Sequence, residues 1–84
     1  MYKVVWTKKA QGGLKKLDFS TAQRLVSKVE SYLIKNPQQL GKPLTFPYKG
    51  CYRYRLGDFR VIYQIKEREL IVLVLKVGHR REVY

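Results

Sequence analysis

Three arginines in one alternating segment have the chemistry to hold a phosphate group. Residues 51–63 alternate aromatic or aliphatic side chains with arginine on both sides of a Gly-Asp pair at 57–58. Such alternation is the period of a half-buried strand, and Gly-Asp between two such runs predicts a tight hairpin. Directly opposite residues, and residues two apart, point to the same side of a sheet. Folding the hairpin therefore gathers three guanidinium groups on one face: Arg53, Arg55 and Arg60.

This arrangement should destabilise the sheet unless a polyanion covers it. Like charges directly opposite each other are unfavourable, and Arg55 is predicted to stand opposite Arg60. Guanidinium groups bind phosphate through two parallel hydrogen bonds and keep their charge in proteins. The segment therefore indicates a phosphate-holding surface. The alternative is a solvated basic face that only steers nucleic acid.

The other side chains of the hairpin are predicted to lie on the opposite face. Aromatics interleaved with arginines are suited to stacking on the bases of single-stranded RNA. The alternation instead directs them toward the protein interior, which favours packing in the core. This set comprises Tyr52, Tyr54, Phe59, Val61 and Tyr63.

The remaining reactive side chains are few. His79 is the one side chain whose unperturbed pKa suits proton transfer near neutral pH. It is a candidate acid or base, a candidate contact to a phosphate or nucleobase, or a polar surface residue beside arginines. With one histidine, one cysteine and scattered carboxylates, we expect no metal site, and the lone Cys51 excludes an internal disulfide.

The first part of the chain predicts a strand and two helices. Residues 2–7 are rich in β-branched and aromatic side chains, and residues 8–17 place apolar side chains at helical spacing. Gly12-Gly13 interrupts that helix, which indicates a kink or the close approach of another backbone. Ser20, followed by a glutamine three residues later, resembles an N-cap, and Asn36-Pro37 should end the second helix.

The second part of the chain predicts strands. A proline-containing loop over 37–50 precedes the hairpin of residues 51–66, and Glu67-Arg68 predicts another tight turn. Residues 69–77 contain an apolar run without alternation, which is typical of a central strand buried on both faces. The order is β-α-α-β-β-β. We expect one α+β domain over residues 1–84, with two N-terminal helices packed on one face of a mostly antiparallel, four-stranded sheet.

Charge dominates the bulk properties. The chain has 18 Lys and Arg against 6 Asp and Glu, a net charge of +12, which attracts nucleic acid, acidic membrane surfaces or acidic proteins. Its 45% hydrophobic content argues against a disordered basic tail. No apolar stretch approaches the ~20 residues needed to span a bilayer, and the start shows no signal-peptide pattern. We therefore expect a cytoplasmic protein that does not associate with membranes.

Three segments in this order and spacing resemble the RelE/ParE superfamily of bacterial toxins, nearest to its RelE-type ribonuclease branch. They are residues 40–44, 52–63 and 77–84. The resemblance covers nearly the full length. It implies a type II toxin that cleaves mRNA in the ribosomal decoding site and is inhibited by an antitoxin with an acidic binding segment. It also implies higher-order toxin–antitoxin complexes that bind operator DNA through the antitoxin.

The resemblance also implies a set of catalytic residues. RelE-type members carry basic residues on both strands of the hairpin and an arginine and a tyrosine near the C-terminus. These positions correspond here to Arg53, Arg55, Arg60, Arg80 and Tyr84. The arginines would stabilise the charge on the phosphate, and Tyr84, whose pKa nearby cations would lower, would be the general base. Some relatives use a histidine for acid–base work, which makes His79 a further candidate.

Arg53 and Arg55 depart from the best-studied RelE branch, which has lysines at those positions. Arginine stays protonated in proteins, so neither residue can exchange a proton during the reaction. The division of acid and base roles between Tyr84 and His79 stays open. Other cations are candidates to contact nucleic acid without taking part in the reaction, the alternative being solvated surface residues: Lys8, Lys9, Lys15, Lys16, Lys49 and Arg81. No cofactor is expected.

Two other functions remain open on the sequence. A ParE-like toxin of the same fold would poison DNA gyrase without nuclease chemistry, and fold alone does not separate the two. The basic face and Tyr84 favour the ribonuclease. A non-catalytic nucleic-acid-binding module would need only the charge.

Overall fold

The computed structural model describes residues 2–45, 49–79 and 81. The elements follow one another as β1 (Lys3–Trp6), α1 (Lys8–Lys15), α2 (Phe19–Ser31), a 3-10 turn (Leu33–Lys35), α3 (Pro37–Leu40), β2 (Lys42–Pro43), β3 (Tyr52–Leu56), β4 (Phe59–Lys66) and β5 (Ile71–His79). None of the helices in this part of the chain has the length and apolar content that crossing a membrane requires.

The sheet has the spatial order β1-β5-β4-β3-β2. β1 pairs with β5 in parallel, and the other pairs are antiparallel. The predicted α+β fold and mostly antiparallel sheet are therefore confirmed, but the strand count of four was one too low. The additional strand is β2, which lies in the predicted loop and pairs with β3; beside it, the Leu44 amide donates to the Cys51 carbonyl at 2.9 Å.

The first helix lies against β5, and its glycines differ in their surroundings. Thr7 caps α1 by accepting a hydrogen bond from the Ala10 amide at 3.1 Å. A Cβ atom at Gly13 would collide with the backbone carbonyl of Val77, whereas one at Gly12 would meet nothing within 4 Å. Of the two alternatives for the glycine pair, Gly13 therefore marks a close approach of another backbone. β1 pairs with residues 71–74 of β5, and α1 packs against the part of β5 that follows them.

The second helix begins earlier and ends earlier than predicted. Its N-cap is Asp18, not Ser20: a carboxylate oxygen of Asp18 accepts from the Thr21 amide and from the Ser20 hydroxyl, both at 3.2 Å. The helix stops at Ser31, and the chain continues through the 3-10 turn to α3, where Pro37 is the first helical residue. The backbone N–H of the first helical residue has no partner within the helix, so proline, which lacks this group, loses no hydrogen bond there.

The core lies between the helices and one face of the sheet. The largest fully buried side chain is that of Tyr63, whose hydroxyl donates to the Pro37 carbonyl at 2.6 Å. Burial, more than the neighbouring tyrosines, raises the pKa of Tyr63 well above its ordinary value. The core set is Ala10, Leu25, Val29, Leu33, Val61, Tyr63, Val72, Val74 and Val77.

Candidate phosphate-binding surface and adjoining groove

The hairpin has the register predicted from its alternation. Leu56 pairs with Phe59, Arg55 with Arg60 and Arg53 with Ile62. Gly57 makes the turn possible because its φ of 59° lies in the left-handed region that favours glycine. The partners Tyr54 and Val61 face the helices, so the arginines lie on the opposite, outer face of the sheet. We call this surface the arginine face and define it by Arg53, Arg55 and Arg60.

Packing on the sheet holds two of these arginines more firmly than the third. Arg53 and Arg60 are half-buried, and their Nε atoms are shielded from solvent, whereas Arg55 is exposed. Next to Arg60, on β5, the paired residue is Gly78, so no side chain stands beside that guanidinium on this strand.

Lysines on the flanking strands extend the arginine face, and the sequence analysis named neither of them. Lys42 pairs with Arg53 across β2 and β3, and Lys76 pairs with Ile62 across β5 and β4, so both share the outer face. A cavity of about 290 Å³ beside β2 and β3 is lined by Lys42, Arg53 and Arg55 among others. The only sequence signal for Lys42 was its place in the segment 40–44, because its two-residue strand has no alternation to detect.

A small apolar cluster borders the arginines on the outer face. Cys51 and Ile62 are buried there, packed by Leu44 and Leu75. Leu75 is the extra residue of an irregularity in β5, where Ile62 pairs with Lys76 but the next residue of β4 pairs with Val74. Cys51 is a free thiol. In the described part of the chain, no group of three His, Cys, Asp or Glu side chains is placed to hold a metal ion.

His79 does not join the three arginines on the outer face. It pairs with Phe59, which packs against the core on the helix side of the sheet. The two rings meet edge to face with centroids 5.7 Å apart. The Nδ1 atom of His79 accepts a hydrogen bond from the Arg81 amide at 3.3 Å. Arg80 and Tyr84 lie outside the described residues.

His79 instead lines a groove between α1 and the end of β5. The groove has a volume of about 540 Å³. Its other lining residues include Lys9 of α1, the α1 C-cap residue Lys16, Leu17 and Asp18. Lys8 and Lys15 are exposed but do not line it. Lys49 is exposed in the turn before β3, and Arg81 is exposed beyond β5.

Comparison with known proteins identifies the family. The sequence model described as "ParE toxin of type II toxin-antitoxin system, parDE" matches residues 4–84. The chain belongs to this toxin family. Two curated toxins of Mycobacterium tuberculosis are similar over 83 residues, or 99% of this chain: Toxin RelG, 31% identical over 95% of its length, and Toxin RelE, 34% identical over 86% of its length. The resemblance to the RelE/ParE superfamily is therefore confirmed.

Solved structures of the toxin family share the fold. The toxin–antitoxin complex RelBE2 of Mycobacterium tuberculosis contains a chain with a TM-score of 0.89 and 32% identity, over 94% of this chain and 98% of that one. The isolated RelE toxin of E. coli gives a TM-score of 0.76 at 23% identity, over 94% and 84% of the two chains. The second likeness concerns the fold alone.

Proposed function

We propose that this member of the toxin family is a ribosome-dependent endoribonuclease that cleaves mRNA in the decoding site and so inhibits translation. The observation that supports it most directly is the register of Arg55 with Arg60, which puts three guanidinium groups on one outer face. Lys42 and Lys76 add two ammonium groups to the same face. Such a concentration of fixed cations is suited to a phosphodiester that gains negative charge in the transition state.

The proposed reaction is attack of a 2′-hydroxyl on the adjacent phosphorus. A base takes the 2′-OH proton while the 2′-O–P bond forms, the P–O5′ bond breaks, and an acid gives a proton to the departing 5′-oxygen. The products are a 2′,3′-cyclic phosphate and a free 5′-hydroxyl. Arg53, Arg55 and Arg60 bind the non-bridging oxygens and stabilise their added charge. Because these cations supply the neutralising charge, the proposal includes no metal ion and no cofactor.

The family pattern supplies the remaining proposed roles. In this proposal Arg80 joins the phosphate-binding cations and Tyr84 is the general base, since guanidinium groups beside a tyrosine would favour the phenolate and lower its pKa from the ordinary value of ~10. His79 is retained as a candidate proton donor because it directly precedes Arg80 in the sequence. Its placement on the α1 side of β5 makes Tyr84 the preferred base.

The proposed partners follow from the same chemistry and from the relatives. RelE-type chains in the Mycobacterium tuberculosis and E. coli structures are held in complexes with antitoxins. We propose a cognate antitoxin whose acidic segment covers the basic outer face, with the ribosome and mRNA as the targets in the cytoplasm. Higher-order complexes would bind operator DNA through the antitoxin.

Substitution of the arginines tests the proposed site. Induction of the wild-type protein should arrest growth and produce discrete cuts within codons, detected by primer extension on translated mRNA. Arg60→Ala and Arg80→Ala should each lower cleavage by roughly 10²-fold or more while the protein stays folded, because each removes a transition-state contact. Arg68→Ala is the matched control: it removes the same charge at the turn after β4. Full toxicity of the Arg60 and Arg80 variants would refute the site assignment.

The name of the matching family gives the gyrase-poisoning alternative a specific basis. Induction of DNA-damage signalling with intact mRNA would favour that function. Salt-sensitive RNA binding with no cut RNA on translating ribosomes would instead favour a non-catalytic binding module.

A further inference from the structure

We propose that the groove between α1 and the end of β5 is a second RNA subsite, which holds the single strand next to the phosphate on the arginine face. We call it the α1–β5 groove and define it by its lining residues Lys9, Gly12, Lys16, Phe59, Lys76 and His79. This inference rests on the proposed function because the strand it binds is the same RNA. It assigns the groove a separate task, which is binding and not cleavage.

The shape of the groove is set by the two glycines of α1. Gly13 lets the helix lie directly against the backbone of Val77, and both residues line the groove. Gly12 leaves open space where a side chain would otherwise project. The resulting volume of about 540 Å³ is within the range of ~300–1,000 Å³ that is usual for ligand pockets.

The charges along the groove favour a polyanion. Lys9 and the α1 C-cap residue Lys16 are seven residues apart and both line the groove, and Lys76 lines it from β5. Among the described lining residues the one carboxylate is that of Asp18, which is already engaged as the α2 N-cap by Thr21 and Ser20. Among the described residues, three lysines therefore line the groove against a single, hydrogen-bonded carboxylate.

The groove also has an aromatic surface for bases. Phe59 and His79 are both half-buried and contact each other edge to face. Proteins that bind single-stranded nucleic acid combine a basic groove with aromatic rings on which bases stack. The α1–β5 groove has both features on described residues.

The groove and the arginine face are adjacent. Phe59 lines the groove, and the next residue, Arg60, lies on the arginine face, with Cα atoms ~3.8 Å apart. Lys76 belongs to both, since it lines the groove and shares the outer face through its pairing with Ile62. An RNA strand held at Arg60 can therefore continue over the end of β4 and β5 into the groove.

Two lysine pairs on α1 and its C-cap provide a matched test. Lys9→Gln/Lys16→Gln removes groove cations, whereas Lys8→Gln/Lys15→Gln removes the same charge from outside the groove at the same spacing. Binding would be measured by fluorescence anisotropy with a labelled, 2′-O-methylated, single-stranded 12-mer over a range of NaCl concentrations. Each lost phosphate contact should reduce the slope of log K against log[salt] by ~0.7. The loss of affinity caused by the groove pair should therefore be roughly 25-fold larger at 0.1 M NaCl than at 1 M NaCl. The loss caused by the other pair should change much less with salt.

Filling the groove provides a test that does not alter charge. Gly12→Leu should weaken binding of the same 12-mer by roughly 10-fold or more by occupying the groove, while its unfolding temperature stays equal or rises, because leucine is the better helix former. Gly12→Ala is the smaller control and should bind nearly as the wild type does. Unchanged binding by Gly12→Leu, equal effects of the two lysine pairs, or no binding by the wild type at low salt would each overturn the proposal.

The anisotropy readout separates this inference from the proposed function. If the groove variants lose binding selectively but the wild type cuts no mRNA, the subsite stands and the ribonuclease proposal fails. If mRNA is cut normally and the two lysine pairs behave alike, the ribonuclease proposal stands and the subsite fails.

Discussion

At the scale of single residues, the inward and outward faces of the hairpin have different tasks. Arg55 and Arg60 oppose each other on the outer face, which disfavours the fold locally. Tyr63, two strand positions from Val61 on the inner face, is fully buried and anchors the segment 37–41 to the sheet through the Pro37 carbonyl. A Cβ atom at Gly41 would collide with this same hydroxyl. The inner face stabilises the strands that present the arginines.

Removing the Tyr63 hydroxyl should destabilise the fold. Tyr63→Phe leaves the buried Pro37 carbonyl without its donor, which should lower the free energy of unfolding by about 1–3 kcal/mol in urea titrations at neutral pH. Tyr32→Phe changes a tyrosine that is 44% exposed and should have little effect.

The stabilisation that Tyr63 provides should also depend on pH. Because the folded-state pKa of Tyr63 is raised, its contribution to stability is complete below the unfolded pKa of 10.0 and is lost as pH rises further. A deficit of Tyr63→Phe that grew above pH 10 would contradict this account.

At the scale of elements, the sequence predicted the features that are set by residues close together in the chain. The alternation of residues 51–63 gave the correct hairpin register, because a two-residue turn fixes the pairing. β2 was missed because a two-residue strand containing proline has no period, and its pairing with β3 depends on the fold of the intervening chain. The cap of α2 was misplaced because Asp18 and Ser20 are both good N-cap residues, and only the observed bond to Thr21 decides between them.

The positions of the candidate site residues could be predicted only where the sequence also predicted the strand or helix that carries them. Arg53, Arg55 and Arg60 could be gathered on one face from the period alone. His79 could not be placed, because its side depends on the irregularity in β5, where one extra residue changes which later residues face outward. The groove depends on how α1 packs against β5, and the sequence signalled this only through Gly12-Gly13.

The two glycines of α1 should respond to alanine in opposite ways. Gly12→Ala adds a methyl group in open space and should stabilise the protein by up to about 1 kcal/mol through helix propensity. Gly13→Ala forces α1 away from the Val77 carbonyl and should destabilise it by about 1–3 kcal/mol. Urea unfolding of both variants beside the wild type measures the difference. Stabilisation by Gly13→Ala would show that the helix and β5 are not in direct contact.

The cap of α2 should make stability depend on acid pH. Hydrogen bonds from Thr21 lower the pKa of Asp18 below its ordinary value of 3.8. Because the folded-state pKa is lowered, the contribution of this carboxylate is present above that value and is lost as pH falls through the folded-state pKa. Asp18→Asn keeps a capping oxygen but does not titrate. Thermal unfolding of the two proteins from pH 6 to 2 should show the wild type losing its advantage over the variant only at the acid end.

At the scale of the whole molecule, charge and packing are divided between the two sides of the sheet. The helix side buries the main core, whereas the outer side concentrates cations on four strands with one small apolar cluster. With a net charge of +12, the folded chain repels itself, and binding of any polyanion would relieve this repulsion. Binding to the folded form would stabilise it by mass action, by about 2.7 kcal/mol at a ligand concentration 100 times Kd.

The self-repulsion predicts that salt stabilises the protein and that part of the effect comes from the arginine face. Unfolding temperature should rise between 0.01 and 0.5 M NaCl, because the Debye length falls from ~30 Å to a few ångströms.

At low salt Arg55→Thr should stabilise the fold by about 0.2–1 kcal/mol, since it removes a charge directly opposite Arg60 and threonine suits a strand. Arg68→Thr, in the turn after β4, removes equal charge without an opposing arginine and should gain less. The difference between the two variants should shrink at high salt. If it persisted there, the gain of Arg55→Thr would come from strand propensity, and the cost of assembling the cations on one face would be negligible.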